Sequence, residues 1–152
     1  MTQTCHRQAP PFRGGETAAM AHSHRPDPLA LAVGAIRLAS GLSFLVAPEA
    51  ANRLWGDPEE PTVTTSLLLR SMGYRDALIG GVLLSSAVRG MPTAPWFLAS
   101  AGADAADLLG GAANHHRMTR SQQTKGLGGA MVGIAVGVVG AVRASRSNPP
   151  AE

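Results

Sequence analysis

Six ionisable residues carry the chemistry that stands out in this 152-residue chain: Arg37, Arg70, Arg75, Asp76, Asp104 and Asp107, three cations and three anions, each inside an otherwise apolar stretch. An unpaired charge in hydrocarbon is expensive, so such residues face a protein interior, pair with one another or line a wet cavity. Asp104 and Asp107 are three residues apart and therefore share one face of a helix. Depth is a second constraint. At about 1.5 Å per residue, counted from the side where the first and third stretches begin and the second ends, Arg37 lies at about 12 Å, Asp104 at about 14 Å, Asp107 at about 18 Å and Arg75 at about 20 Å. These depths predict an interior layer in which Arg37 pairs with Asp104 and Arg75 with Asp107, with Arg70 nearer the opposite interface and Asp76 left over. Two roles stand open for it. The pairs can simply fix helix register and cancel charge, or a carboxylate at mid-depth can exchange its arginine for a proton or a cationic substrate.

The segments that must position these groups are 29–48, 67–88, 95–113 and 126–142, which together contain six of the 23 formal charges. Each is close to the roughly 20 residues a helix needs to cross a bilayer. Charged residues make up 15% of the chain, against about 25% in an ordinary soluble domain. Segment 126–142 has no ionisable residue and is bracketed by Lys125, Arg143 and Arg146. Segment 67–88 needs partners, because Arg75 and Asp76 near its centre cost roughly 3 kcal/mol each on an insertion scale. A water-soluble four-helix bundle would show polar faces at the helical period, and 30–47 and 127–142 show almost none. The expected fold is therefore all-α: an integral membrane bundle of four transmembrane helices over 29–142, with a disordered N-terminal tail, 1–28, and a C-terminal tail, 143–152. Met20 offers an alternative start that keeps the whole first span. Arg37 within that span, and Pro48-Glu49 in place of a small-residue cleavage site, favour a retained helix over a signal peptide.

Small residues recur every four positions in each span: Ala35, Ala39, Ser43 and Ala47; Gly73, Ala77, Gly81 and Ser85; Gly102, Ala106 and Gly110; Gly129, Gly133, Gly137 and Ala141. In lipid, where no hydrophobic force draws helices together, such stripes allow close backbone approach, so they are expected to be packing faces. Segment 48–56, with Pro48 at its start, Glu49 four residues before Arg53 and Gly56 at its end, reads as a short surface helix. Trp55 and Trp96 are expected as interfacial anchors on opposite faces. With both termini inside, six arginines (Arg7, Arg13, Arg25, Arg89, Arg143 and Arg146) face four cations outside (Arg53, Arg117, Arg120 and Lys125). That balance leans toward a multi-pass protein of the cell membrane with both termini cytoplasmic.

Other chemistry has little footing. The single cysteine, Cys5, excludes an internal disulfide framework and a multi-cysteine zinc site. His22 and His24 precede the first span and His115 and His116 follow the third, so the pairs fall at opposite faces and no HExxH spacing occurs. There is no GxGxxG, Walker loop or nucleophile elbow, and the net charge of +3 forms no contiguous basic stripe. No enzymatic activity, cofactor, metal or nucleic-acid partner is expected. The expected partners are the lipid bilayer and either a second copy of the chain or another membrane protein.

Three motifs in order on consecutive spans have a familiar look: Arg37-Leu38-Ala39-Ser40-Gly41-Leu42 with Ala47-Pro48, then Leu69-Arg70-Ser71-Met72-Gly73-Tyr74-Arg75-Asp76 with Gly80-Gly81, then Asp104-Ala105-Ala106-Asp107. In these the chain resembles domain-of-unknown-function family 4267, small bacterial four-helix membrane proteins, over about residues 29–142. The resemblance implies a multi-pass membrane protein and no known activity. A looser similarity to four-helix DoxX-like membrane proteins, some of which accompany oxidoreductases, finds no cysteine or histidine within the spans to support redox chemistry. Two functions follow as expectations: a structural or accessory protein packing through its small-residue stripes, or a small transporter or ion pathway using the intramembrane Asp and Arg residues.

Overall fold

A computed structural model describes residues 25–55 and 60–147. These form five α-helices and no strand: α1 (Pro28–Val46), α2 (Pro48–Trp55), α3 (Val63–Arg89), α4 (Ala94–Ala113) and, after a 3-10 turn at His115–Arg117, α5 (Arg120–Ser147). Residues 1–24 of the expected tail lie outside the described part of the chain.

Local chemistry sets the helix ends. The Asp27 carboxylate accepts from Leu29 N at 3.0 Å, and Pro28 occupies the first helical position, where its missing N–H costs nothing. α3 begins four residues before the expected 67 because the Thr62 hydroxyl caps it, accepting from Thr65 N at 3.2 Å. It stops at Gly90, whose φ of 69° is the left-handed conformation that glycine adopts without strain. α5 begins earlier than the expected 126, on a reciprocal capping box in which Gln122 N donates to the Thr119 hydroxyl and Thr119 N donates to the Gln122 side chain. It then passes through a π-helical turn, Gln123–Leu127. It also runs on to Ser147, five residues into the expected C-terminal tail, because Ala144 is buried and Arg146 complements the dipole of the last turn. Residues 148–152 lie outside the described part.

The helices pair as two antiparallel hairpins. α1 lies against α3 along their length, backbone to backbone. A Cβ on Gly41 would run into Ala77 N and come within 2.6 Å of Gly73 O, and one on Gly73 would come within 2.7 Å of Gly41 O. Further along, Gly34 and Gly80 repeat the arrangement, with Gly34 O at 2.8 Å from a Cβ on Gly80. α4 lies against α5 with Phe97 and Ala101 set into Gly137 and Gly140. The glycines therefore act as a packing code, but one offset from the expected stripes: on α1 Ala35, Ala39, Ser43 and Ala47 are all exposed, while Ala30, Gly34, Arg37, Gly41 and Phe44 turn inward. On α3 the close position is Gly80 rather than Gly81, and on α5 Gly129 faces open space while Gly133, Gly137 and Gly140 are the tight ones.

On α4 the expected stripe packs against no helix: Gly102, Ala106 and Gly110 are exposed, nothing lies within 4 Å of a Cβ at either glycine, and Ala106 and Gly110 border a cavity between the hairpins. The reason is competition for one face. Phe97, Ser100, Ala101 and Asp104 recur at helical spacing and carry the large apolar ring and the polar partners of α1, so their face is the one turned inward.

The two ends of the bundle differ. Where α1 and α4 begin and α3 and α5 end, Ala30, Leu83, Ala87, Phe97 and Ala141 form a closed core. Trp96, expected as an interfacial anchor, packs partly buried against it. Trp55 closes α2; its side chain lies outside the described residues, as does Gly56. At the other end the hairpins separate around cavities. Among the described residues two helices, α1 and α5, are long and apolar enough to cross a membrane. α3 and α4 match them in length but carry five of the six charges singled out above.

Candidate functional site

Halfway along the bundle three helices contribute to one polar centre. Arg37 on α1, 9% exposed, is its hub. Its Nε donates to the Ser100 hydroxyl at 3.1 Å, and its Nη2 donates to Asp104 Oδ1 and, at 3.5 Å, to the Ser100 carbonyl. Its Nη1 lies 3.6 Å from Asp76 Oδ1, close enough for an ion pair but with no hydrogen bond. Arg75 on α3 forms a two-pronged pair with Asp107 on α4, Nη1 to Oδ1 at 3.0 Å and Nη2 to Oδ2 at 2.7 Å, and also reaches Asp76 Oδ1 from Nε at 3.2 Å. Two parallel N–H···O bonds are the strong geometry for this pair of groups.

The structure thus brings Arg37 to Asp104 and Arg75 to Asp107. Asp76 is not left over: it stands between the two guanidinium groups and links the pairs into one alternating row, Asp104–Arg37–Asp76–Arg75–Asp107. Three carboxylates against two guanidiniums leave the row with a formal charge of −1. Arg70 does not join. Five residues before Arg75 it is rotated by about 140° around α3, and it is exposed with no ion pair among the described residues.

α5 contributes shape. A Cβ on Gly133 would run into the Asp104 carboxylate, so this glycine makes room for Asp104 between α1 and the α5 backbone. Ser100 is a member that sequence reasoning missed, although its signal was present, four residues before Asp104 and hence on the same face.

Two cavities reach the row, one from the open end and one along the side of the bundle. One, about 500 Å³, lies between the hairpins; Phe44, Met72, Met118 and Leu127 contribute its apolar surface, and Asp104 and Asp107 lie at its inner end. The other, about 810 Å³, is a groove between α1 and α5 walled by Val33, Ile36, Val132 and Val136, with Arg37, Asp76, Ser100 and Asp104 on its floor. Asp104 and Lys125 line both. Lys125 sits on the π-helical turn of α5, an irregularity frequent at functional positions.

Chemically, the row can lock three helices in register and can present a charged floor to a small solute. Among the described residues no group of three or more His, Cys, Asp or Glu side chains is arranged to hold a metal ion.

No curated protein and no solved structure matches this chain. A family model does, across residues 34–142, a span that begins just before Arg37 and takes in every member of the ionic row. The chain belongs to the family described as domain of unknown function DUF4267.

Proposed function

We propose that this is a four-span membrane protein, multi-pass in the cell membrane, whose ionic row binds a proton or small cationic solute reached from the open end. The observation that carries this reading is the unequal access: one cavity leads from the α1 C-terminal end to Asp104 and a groove along α1 and α5 opens the same carboxylate to the side of the bundle, while the opposite end is closed over Phe97 and Leu83, both 0% exposed. A device that only fixed helix register would gain nothing from an open approach, whereas a carrier or ion pathway requires one.

α3 and α4 span on this reading because their charges other than Arg70 join the row and, with Arg37, cancel to within one unit, which removes most of the cost of inserting them. The closed end faces the cytoplasm with both termini, following the six arginines on that side. The protein carries out no covalent chemistry; lipid is its surroundings, and nucleic acid has no place in its function.

The test is flux. Protein reconstituted into liposomes should dissipate an imposed proton or monovalent-cation gradient, and Asp104→Asn should abolish the leak while the protein keeps its helical content and its resistance to alkaline carbonate extraction. Equal flux in that variant, or none in the parent, removes the reading.

One observation favours a second role, that of a packing partner for a second copy or another membrane protein: the exposed Gly102, Ala106 and Gly110 stripe on α4, which no helix of this chain covers among the described residues. Gly102→Leu should weaken self-association, followed by sedimentation in detergent, without disturbing flux; an unchanged association state removes the second copy as the partner.

A further inference from the structure

We propose that the closed end holds a specific site for an anionic phospholipid headgroup, with the phosphate diester seated between Arg25 and Arg143. A cavity of about 350 Å³ opens there, with Arg25 just before α1 and Arg143 near the end of α5 on its walls and Ala87 and Ala144 among its apolar lining. Both arginines are exposed, and neither forms an ion pair among the described residues. The one carboxylate in the cavity wall, Asp27, is engaged as the cap of α1, accepting from Leu29 N at 3.0 Å.

A second, independent feature points the same way. Thr93 lines this cavity and is 7% exposed, yet its hydroxyl makes no hydrogen bond among the described residues. With the residue buried and its hydroxyl unpartnered at the cavity wall, the O–H is free to donate to a ligand seated there. Thr93 also stands at the N-terminus of the 20-residue helix α4, where the helix dipole favours an anion. Two guanidiniums, an unmet hydroxyl donor and a positive helix end make an anion site, and the apolar lining suits the glycerol and first acyl carbons attached to a lipid phosphate. A pocket of basic residues between helix ends at the membrane surface is a recognised setting for acidic headgroups.

The lipid source rests on the membrane-spanning reading above; the phosphate chemistry does not. The test uses the full chain in phosphatidylcholine nanodiscs with and without phosphatidylglycerol, read by native mass spectrometry of retained lipid and by thermal unfolding. Phosphatidylglycerol should be retained over phosphatidylcholine and should raise the unfolding temperature. The double variant Arg25→Gln with Arg143→Gln, at exposed positions that do not hold the fold, should weaken that retention by about tenfold or more. Asp27→Asn, which still caps α1, should strengthen it by removing the competing charge.

Undiminished retention by the double variant, or equal retention of phosphatidylcholine, overturns the site. Inorganic phosphate reproducing the full stabilisation in detergent, with phosphatidylglycerol adding none, overturns the lipid as occupant. If carbonate extraction released the protein from membranes, the four-span reading would fail by itself, and a water-soluble short-chain phosphatidylglycerol would still decide whether Arg25 and Arg143 select a phosphate diester.

Discussion

The two ends of the bundle are built from the same four long helices and are packed on different principles. At the closed end an aromatic ring meets glycines: Phe97 lies on Gly137 and Gly140, and Leu83, Ala30 and Ala141 fill the remaining space. At the open end Gly41 and Gly73 still hold α1 against α3 and Leu127 meets Gly111, but Gly110, Gly128 and Gly129 face open space and the hairpins part. Glycine allows close approach but does not enforce it. The ionic row lies at the boundary between the two regimes, and this position makes it accessible.

If the closed end carries the packing, the largest effect should come from removing its ring. Phe97→Ala should destabilise the protein in detergent by about 3–5 kcal/mol, as for an aromatic side chain deleted from a filled core. Met118→Ala beside the open cavity should cost about 1 kcal/mol or less, since it leaves no new enclosed void. Denaturant unfolding of the pair measures the contrast, and equal losses would erase it.

The boundary itself should be nearly as sensitive. Arg37→Met leaves Asp104 and Asp76 without a cation between them, at a cost of about 3–5 kcal/mol. Combining it with Asp104→Leu should recover much of that loss, because replacing both members of a buried pair by apolar groups is often close to neutral. A double-mutant cycle that proves additive would show that the two residues do not act together.

A finer contrast lies within one helix. Gly133→Ala places a methyl where the Asp104 carboxylate sits, and should cost about 1–3 kcal/mol through overpacking. Gly129→Ala, one turn earlier with nothing within 4 Å, should be neutral or stabilising by up to about 1 kcal/mol, because alanine is the better helix former. Thermal unfolding of the two variants shows whether the line between tight and loose packing falls between these turns.

What could be read in advance follows from the same division. Helix existence and the Arg37–Asp104 and Arg75–Asp107 neighbourhoods were legible because depth along a helix depends only on residue count. Rotation was not. Whether a stripe of small residues faces a neighbour depends on which other groups compete for the interface, and on α4 Phe97, Ser100 and Asp104 displaced Gly102, Ala106 and Gly110. The bridging place of Asp76 was hidden likewise, since counting pairs leaves it over while the geometry sets it between two arginines. The cavities were out of reach, because a gap between helices is a property of the assembled hairpins and leaves no mark on any one of them.

Arg70 separates depth from rotation most cleanly, and it carries the smallest expected effect. Residue type and a position inside an apolar segment group it with the other five charges, yet it points away from the row and makes no ion pair among the described residues. It lies only seven residues after Val63, so its long side chain can carry the guanidinium along α3 toward the open-end interface while its methylenes stay in apolar surroundings. Arg70→Gln should therefore change stability by no more than about 0.5 kcal/mol and leave proton or cation flux unaltered. Arg75→Gln, five residues on, should impair both, because it strips Asp107 of its two-pronged partner and Asp76 of one of its two cations. Similar behaviour of the two variants in unfolding and in flux would mean that membership of the row is set by depth alone.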